Sequence, residues 1–250
     1  HPEELSTEQS KALIDQVLSF PRPPMMVMTG GDPLKRADLF ELIEHAASAG
    51  LHVALTPSAT PLATREAFAG AQAAGVKALG ISLDGADAAT HDAFRGWEGS
   101  FQRTMQMLSD ARELKMAVQL NTSITRRNVH QVDAMAELFA DQKIMMWSVF
   151  FLVPVGRGEM EERIAAEEYE QVFEKLWHQS QQQPYGIKTT EAPHYRRFVL
   201  QRGGDPLASK QQARPRRAPL GVGDGKGVMF VSHVGEIYPA GFLPLQCGRF

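Results

Sequence analysis

The stretch MMVMTGGDPLKRADLFELIEHAASAGLHVALTPS, residues 25–58, decides the fold class. A short apolar run, Met25–Thr29, leads into a helical pattern over Ala37–Ala49 and then into a second apolar run, His52–Thr56. The next apolar run begins at Leu79, so successive runs start at equal intervals along the chain. Strands that alternate with helices at this spacing form a parallel sheet with right-handed crossovers. The sequence therefore predicts an α/β protein.

The same alternation continues beyond this stretch and then breaks down. The predicted strands are Met25–Thr29, His52–Thr56, Leu79–Leu83, Ala117–Thr122, Met145–Leu152 and Ile187–Thr190. The predicted helices are Thr7–Leu18, Ala37–Ala49, Thr64–Ala74, Ser100–Leu114, Val129–Asp141 (with Asn128 as its N-cap) and Ala165–Gln183. A long loop is expected over Gln201–Gly227, followed by a hairpin at 228–238. The pattern fits a doubly wound sheet or a (β/α) barrel, whole or partial.

Composition excludes several classes of protein. Of the 250 residues, 43% are hydrophobic and 22% are charged, as in ordinary globular proteins. A net charge of −3 gives no reason to expect nucleic acid or a membrane as a partner. The longest apolar run, Ile144–Val155, is shorter than the roughly 20 residues that span a bilayer. The single cysteine, Cys247, predicts a reducing, cytoplasmic setting.

Polar residues and glycines follow the predicted strands at their carboxyl ends, the edge at which α/β proteins bind ligands. They are Gly30–Pro33, Pro57 with Ser58, Ser82 with Asp84, Asn121 with Thr122, and Pro154 with Gly156 and Arg157. Five such turns in register indicate one shared pocket, although capping and turn formation would also explain them.

The turn Gly30-Gly31-Asp32-Pro33 is the most informative of these. Glycines let a ligand approach the backbone without a Cβ in the way, and Asp32 offers an acceptor for an ammonium group. Together they could bind the amino and carboxylate groups of a zwitterion. The alternative is a structural turn in which Asp32 caps the next helix and Pro33 begins it.

Several segments, taken in order, resemble motifs of the radical S-adenosylmethionine (SAM) enzymes. Gly30–Pro33 is similar to their GGEP motif, with Asp in place of Glu, and Ile81–Gly85 resembles their fourth-strand SLDG motif. Asn121 and Asn128 match the two asparagines of a fifth-strand segment. Pro154–Gly158 resembles the P-x-GRG segment of the branch that carries a C-terminal SPASM or twitch extension.

The resemblance implies a partial (β/α)6 TIM-like barrel with a small C-terminal β-hairpin extension. Residues 1–185 would form the barrel, and residues 186–250 its last strand, a long loop and the SPASM-like extension. A [4Fe–4S] cluster would bind SAM and reductively cleave it to a 5′-deoxyadenosyl radical, which abstracts hydrogen from a substrate. The implied cofactor-binding residues are Gly30, Gly31, Asp32, Pro33, Ser58, Ser82, Asp84, Asn121, Pro154 and Val155.

The cysteines of the family have no counterpart here. The three that bind the cluster are expected upstream of His1, so no metal ligand is assigned to this chain. In the tail, Ala240 stands where an auxiliary-cluster cysteine would be expected, with Cys247 nearby.

The resemblance leaves the substrate open between a peptide and a tetrapyrrole. Glu191, His194 and Arg196 follow the last predicted strand, where they could bind a substrate carboxylate or supply a proton, unless they form a solvated loop. An electron donor such as flavodoxin or ferredoxin would reduce the cluster. Two alternative functions are a non-catalytic barrel that binds SAM or a peptide and a metal-dependent barrel aldolase or hydrolase. The second would rely on Asp32 and Asp84.

Overall fold

A computed structural model describes residues 3–154, 162–203, 223–224 and 227–250. Six strands form one sheet in chain order: β1 Met26–Met28, β2 Val53–Leu55, β3 Val76–Ser82, β4 Ala117–Ile124, β5 Met146–Phe151 and β6 Gly186–Thr190. The strands run parallel, and β1 and β6 are the two edges of the sheet. The sheet is therefore open, which confirms the predicted α/β class and the partial barrel.

Helices alternate with these strands. They are α1 Thr7–Leu18, α2 Leu39–Ser48, α3 Arg65–Ala74, α4 Ala88–Arg95, α5 Ser100–Glu113, α6 Val132–Asp141, α7 Ala166–Gln182 and α8 His194–Gln201. Short 3-10 helices at Pro33–Lys35 and Val129–Gln131 precede α2 and α6. The six predicted helices are confirmed within a few residues at each end.

Two helices, α4 and α8, were not predicted. Helix α4 buries a single residue, His91, so it lacks the apolar stripe that marks a helix in a sequence. Asp87 begins it, because the Asp87 carboxylate accepts a hydrogen bond from the Thr90 N–H at 2.8 Å. Helix α8 starts at His194, inside the segment for which the sequence predicts either a substrate-binding site or a solvated loop.

Residues 1–79 and 222–250 form one compact unit, and residues 80–221 form another. In the first unit, β7 (Gly223–Asp224) pairs with β8 (Gly227–Val228) within and beside the predicted long loop. The predicted hairpin is confirmed as β9 Phe230–Val231 and β10 Glu236–Tyr238, and β11 Gly248–Arg249 adds a third strand. The Leu5 N–H donates to the His233 carbonyl at 2.9 Å, which ties the tail to the start of the chain. The boundary near residue 185 stays a prediction.

In the second unit, the two sides of the sheet differ in burial. Along β4, buried and half-buried residues alternate, as expected when every second side chain faces the helices. The buried series continues in β5, where Trp147 contacts Phe139 of α6 with ring centroids 5.1 Å apart. Phe151 contacts Phe173 of α7 at 5.5 Å. This side is therefore the packed core, and the opposite side is here called the inner face. Residues on the inner face of β4 are half-buried, whereas Ser148 of β5 is buried there.

Candidate functional site

The first-strand turn, Gly30–Pro33, presents open backbone. Gly30 and Gly31 are exposed, and a Cβ added to either would meet nothing within 4 Å. Gly30 has a φ of +137°, a conformation that favours glycine, whereas Gly31 does not have a left-handed φ. The turn thus leaves the space beside its peptide groups free, as a ligand cradle requires.

Neighbouring side chains hold this turn in place. Ser58 donates from its hydroxyl to the Gly31 carbonyl. Asp32 accepts from Thr60 Oγ1 at 2.6 Å and from the Leu34 N–H at 3.2 Å, so it caps the 3-10 helix that Pro33 begins. The capping interpretation of Asp32 is therefore confirmed. Because a carboxylate has about four lone-pair sites, these two bonds leave Asp32 able to accept from an ammonium group as well.

The third-strand turn, Ser82–Gly85, is closed instead. Asp84 is 0% exposed, its Oδ1 accepts from the Ser123 N–H at 2.7 Å, and its Oδ2 forms an ion pair with Arg95 of α4. Burial raises the pKa of the Asp84 carboxyl above its usual range, while the Arg95 guanidinium opposes that rise. The Asp84 carboxylate is thus paired with groups of the protein itself.

Two buried side chains fix the backbone of the same turn. The Asp84 N–H donates to His91 Nδ1 at 3.0 Å, and burial lowers the pKa of His91 to about 4, so this imidazole stays neutral and can accept. Asn128 donates from Nδ2 to the carbonyls of Asp84 and Ser123, at 2.9 and 2.8 Å. Asn128 occupies the predicted N-cap position, before the 3-10 helix Val129–Gln131, but its side chain makes no capping hydrogen bond there, because it binds these backbone groups instead.

Ser82 is the first residue of this turn, and Asn121 of β4 lies beside the turn in the same unit. The Leu83 N–H donates to the Asn121 carbonyl at 2.9 Å, which brings the ends of β3 and β4 together. The Asn121 side chain is half-buried and accepts from Gln119 Nε2 at 2.8 Å. A direct contact between Asp84 and SAM stays a prediction, and in the structure the Asp84 carboxylate binds the Ser123 N–H and Arg95.

The last two predicted cofactor-binding residues, Pro154 and Val155, follow β5. Pro154 is exposed, whereas Val155 lies outside the described residues. The rest of the P-x-GRG segment also lies outside them.

The predicted substrate residues lie between the end of β6 and the first turn of α8. Glu191 directly follows β6 with a φ of +61°, and Arg196 is exposed. The His194 ring contacts Tyr169 and Phe173 of α7, with centroids 5.4 and 4.8 Å apart, and burial lowers its pKa. His194 therefore lies on the helix side of the sheet and not on the inner face.

Neither metal ligands nor a membrane span are apparent where the structure is described. Among those residues, no three His, Cys, Asp or Glu side chains group as a metal site would require. Cys247 is exposed and free, and Ala240 is buried. Within the described ranges, no helix combines the length and apolar character that crossing a bilayer requires.

Comparison with known proteins decides the family. The model of the Radical SAM superfamily matches residues 1–139. The AdoMet-dependent heme synthase of Nitratidesulfovibrio vulgaris is 38% identical, over 100% of this chain and 68% of that protein. The chain belongs to the radical SAM superfamily. Enzymes of this family use SAM and a [4Fe–4S] cluster, as the sequence motifs predicted.

Other relatives match over shorter stretches. The Fe-coproporphyrin III synthase of Methanosarcina barkeri is 34% identical over 69% of the chain and 43% of that protein. The PqqA peptide cyclase of Rhodopseudomonas palustris is 31% identical over 54% of the chain and 35% of that protein. This radical SAM chain spans about two thirds of the heme synthase and about half or less of the others.

Solved structures show the same fold. SuiB of Streptococcus suis, crystallised with SAM, has a TM-score of 0.69 to this chain at 14% identity. The match covers 96% of this chain and 54% of SuiB. At this level of identity the likeness supports the fold, a partial barrel, and says nothing about substrate.

The residues present fit SAM but not the cluster. The open backbone at Gly30 and Gly31, with the acceptor Asp32 beside it, suits the amino and carboxylate groups of a methionine moiety. The cluster of this family takes three cysteine thiolates, and the chain contains one cysteine, Cys247. The cluster is therefore not assigned to residues of this chain.

Proposed function

We propose that this chain carries the SAM-binding turn and part of the substrate site of a radical SAM enzyme that modifies a carboxylate-bearing tetrapyrrole. The open first-strand turn is the observation that supports SAM binding. For the substrate, the support is that the relative named for heme matches the whole chain, whereas the relative named for a peptide matches 54% of it.

Each residue of the first-strand turn has a distinct task. The peptide groups of Gly30 and Gly31 bind the methionine end of SAM, and Asp32 accepts a hydrogen bond from its ammonium group. Ser58 and Thr60 keep the turn rigid through their hydrogen bonds to Gly31 and Asp32, so that little ordering is needed on binding. Bound SAM supplies the radical chemistry that removes a hydrogen atom from the substrate.

The third-strand turn holds residues in position for contacts to SAM. Asp84 and Arg95 neutralise each other, and His91 and Asn128 hold the turn backbone. Ser82 and Asn121 are thereby fixed for contacts to the ribose or carboxylate of SAM. We propose further that a flavodoxin or ferredoxin in the cytoplasm supplies the electron.

The test uses the full-length protein with its cluster reconstituted under anaerobic conditions, together with SAM and a reductant. Formation of 5′-deoxyadenosine is compared with iron coproporphyrin III, with a PqqA-type peptide and without substrate. We expect the porphyrin to raise 5′-deoxyadenosine release and to change in mass. A change in the mass of the peptide, with the porphyrin unaltered, would contradict the tetrapyrrole assignment while leaving the radical SAM assignment intact.

A further inference from the structure

A row of hydrogen-bond donors crosses the inner face of the second unit. In the parallel pairing, Asn121 of β4 lies opposite Ser148 of β5, and Ser148 lies opposite Lys188 of β6. Adjacent partners in a parallel sheet present their side chains on the same face. Three neighbouring strands therefore place an amide, a hydroxyl and an ammonium group side by side.

The packing of β5 shows which face this is. Trp147 faces the helices, where it contacts Phe139 and donates from Nε1 to Thr122 Oγ1 at 2.9 Å. Ser148, the next residue, must therefore point to the inner face. Its hydroxyl lies 3.3 Å from Thr190 Oγ1, which places Thr190 on that face as well. Lys188 precedes Thr190 by two residues and so shares its face.

Lys188 is a cation for which the described residues supply no counter-ion. It is half-buried, and burial alone lowers the pKa of its ammonium group. No acidic side chain in the part of the chain that the structure describes pairs with it. Since a partly desolvated charge is costly without a partner, an anionic ligand at this position would gain affinity from pairing with it.

The surrounding groups suit a carboxylate. Ser148 and Thr190 hydrogen-bond to each other, so one of their two hydroxyl hydrogens is used between them and the other is left for a ligand. Ser148 itself is buried, whereas Thr190 is half-buried, and Lys188 beside them offers an ammonium group. The Asn121 side-chain oxygen already accepts a hydrogen bond from Gln119, so Asn121 can act towards a ligand as a donor through its amide hydrogens. The row thus combines one positive charge with several donors, the complement of a carboxylate with two acceptor oxygens.

We propose that Lys188, with Ser148 and Thr190, binds a carboxylate of the substrate on the inner face of the sheet. This rests on the proposed function, in which that carboxylate is a propionate of the tetrapyrrole. Lys188 then replaces His194 as the principal cation for the substrate, because His194 packs against the aromatic rings of α7.

The experiment measures binding by the full-length protein of iron coproporphyrin III and of its methyl ester, by absorbance titration. Lys188→Met should weaken binding of the free acid at least tenfold and leave binding of the ester within about twofold, and Lys188→Arg should keep most of the affinity for the acid. Lys77→Met, which removes an exposed lysine from β3, is the matched control and should change neither. The urea midpoint of Lys188→Met should not fall, since no ion pair is lost.

The alternative source of a carboxylate is SAM itself, so SAM binding is measured by calorimetry on the same variants. A tenfold loss of SAM affinity in Lys188→Met, with porphyrin binding unchanged, would overturn the substrate assignment. Equal binding of the acid by the wild type and by Lys188→Met would overturn it as well, with the proposed function still standing. A wild type that binds neither porphyrin would instead refute the proposed function, and the assignment of Lys188 to a propionate with it.

Discussion

The first-strand turn and the third-strand turn each follow a parallel strand, and each contains an aspartate beside glycine. A Cβ on Gly31 would meet nothing within 4 Å, whereas a Cβ on Gly85 would lie 2.7 Å from the backbone nitrogen of His91. Asp32 is partly exposed, and Asp84 is completely buried. Similar motifs at the ends of parallel strands can therefore serve different purposes: the first turn is open to a ligand, and the third is held in place by buried side chains.

Removing the ion pair of the third-strand turn should have the largest effect on the stability of the protein. Arg95→Met removes the partner of the buried Asp84 carboxylate and should lower the free energy of unfolding by about 3 kcal/mol. The double variant Arg95→Met/Asp84→Asn should recover most of this loss, because no uncompensated charge remains. Urea denaturation measures both. A single variant as stable as the wild type would show that the ion pair does not hold the turn.

The next largest effect is the pH dependence of stability that arises from His91 in the third-strand turn. The folded protein keeps His91 neutral with a pKa of about 4, whereas the unfolded chain binds a proton near the ordinary value of 6.5. The His91 contribution is therefore fully present above pH 6.5 and is lost as the pH falls towards 4, by on the order of 2 kcal/mol.

His91→Asn isolates this contribution, because Asn can accept from the Asp84 N–H but does not titrate. We expect the difference in unfolding free energy between wild type and variant to shift in favour of the variant as the pH falls from 7 to 4.5. Titration of Asp84 is common to both proteins and largely cancels. Parallel stability curves would contradict the assignment of His91 as a neutral acceptor.

Filling the open turn should affect ligand binding and not stability. Gly31→Val places a side chain in free space without a left-handed φ, so the fold should be kept. SAM affinity of the full-length protein, measured by calorimetry, should fall at least tenfold, which is about 1.4 kcal/mol. Gly241→Val, at another exposed glycine of the same unit, should leave SAM affinity unchanged. Equal SAM affinity of Gly31→Val and wild type would remove the first-strand turn from the cofactor site.

Loosening the open turn should have the smallest effect. Ser58→Ala removes the hydroxyl that donates to the Gly31 carbonyl, and we expect a roughly threefold loss of SAM affinity, about 0.6 kcal/mol. Ser58→Thr keeps the hydroxyl and should retain the wild-type affinity. If both variants bind SAM like the wild type, Gly31 is rigid without this hydrogen bond.

Local patterns in the chain were sufficient to predict the order of the strands in the six-stranded sheet, every described α-helix except α4 and α8, and the first-strand turn. Apolar periodicity reveals a helix when it buries a stripe, as in α2, and it fails for α4, which buries His91 alone. Helix α8 was not predicted because the polar residues around His194 conceal its buried Tyr195, Phe198 and Val199.

The roles of Asp84, Asn128 and Lys188 depend on tertiary structure, because the partners of each come from distant parts of the chain. Ser123 lies 39 residues from Asp84, and Asn128 reaches back across 44 residues to the Asp84 carbonyl. Strand register alone places Lys188 beside Ser148. Motifs and periodicity, which are local properties of the chain, therefore predicted where polar residues gather. Which of them became buried supports and which remained open to a ligand was decided by packing, since burial and pairing are set by contacts that sequence distance does not reveal.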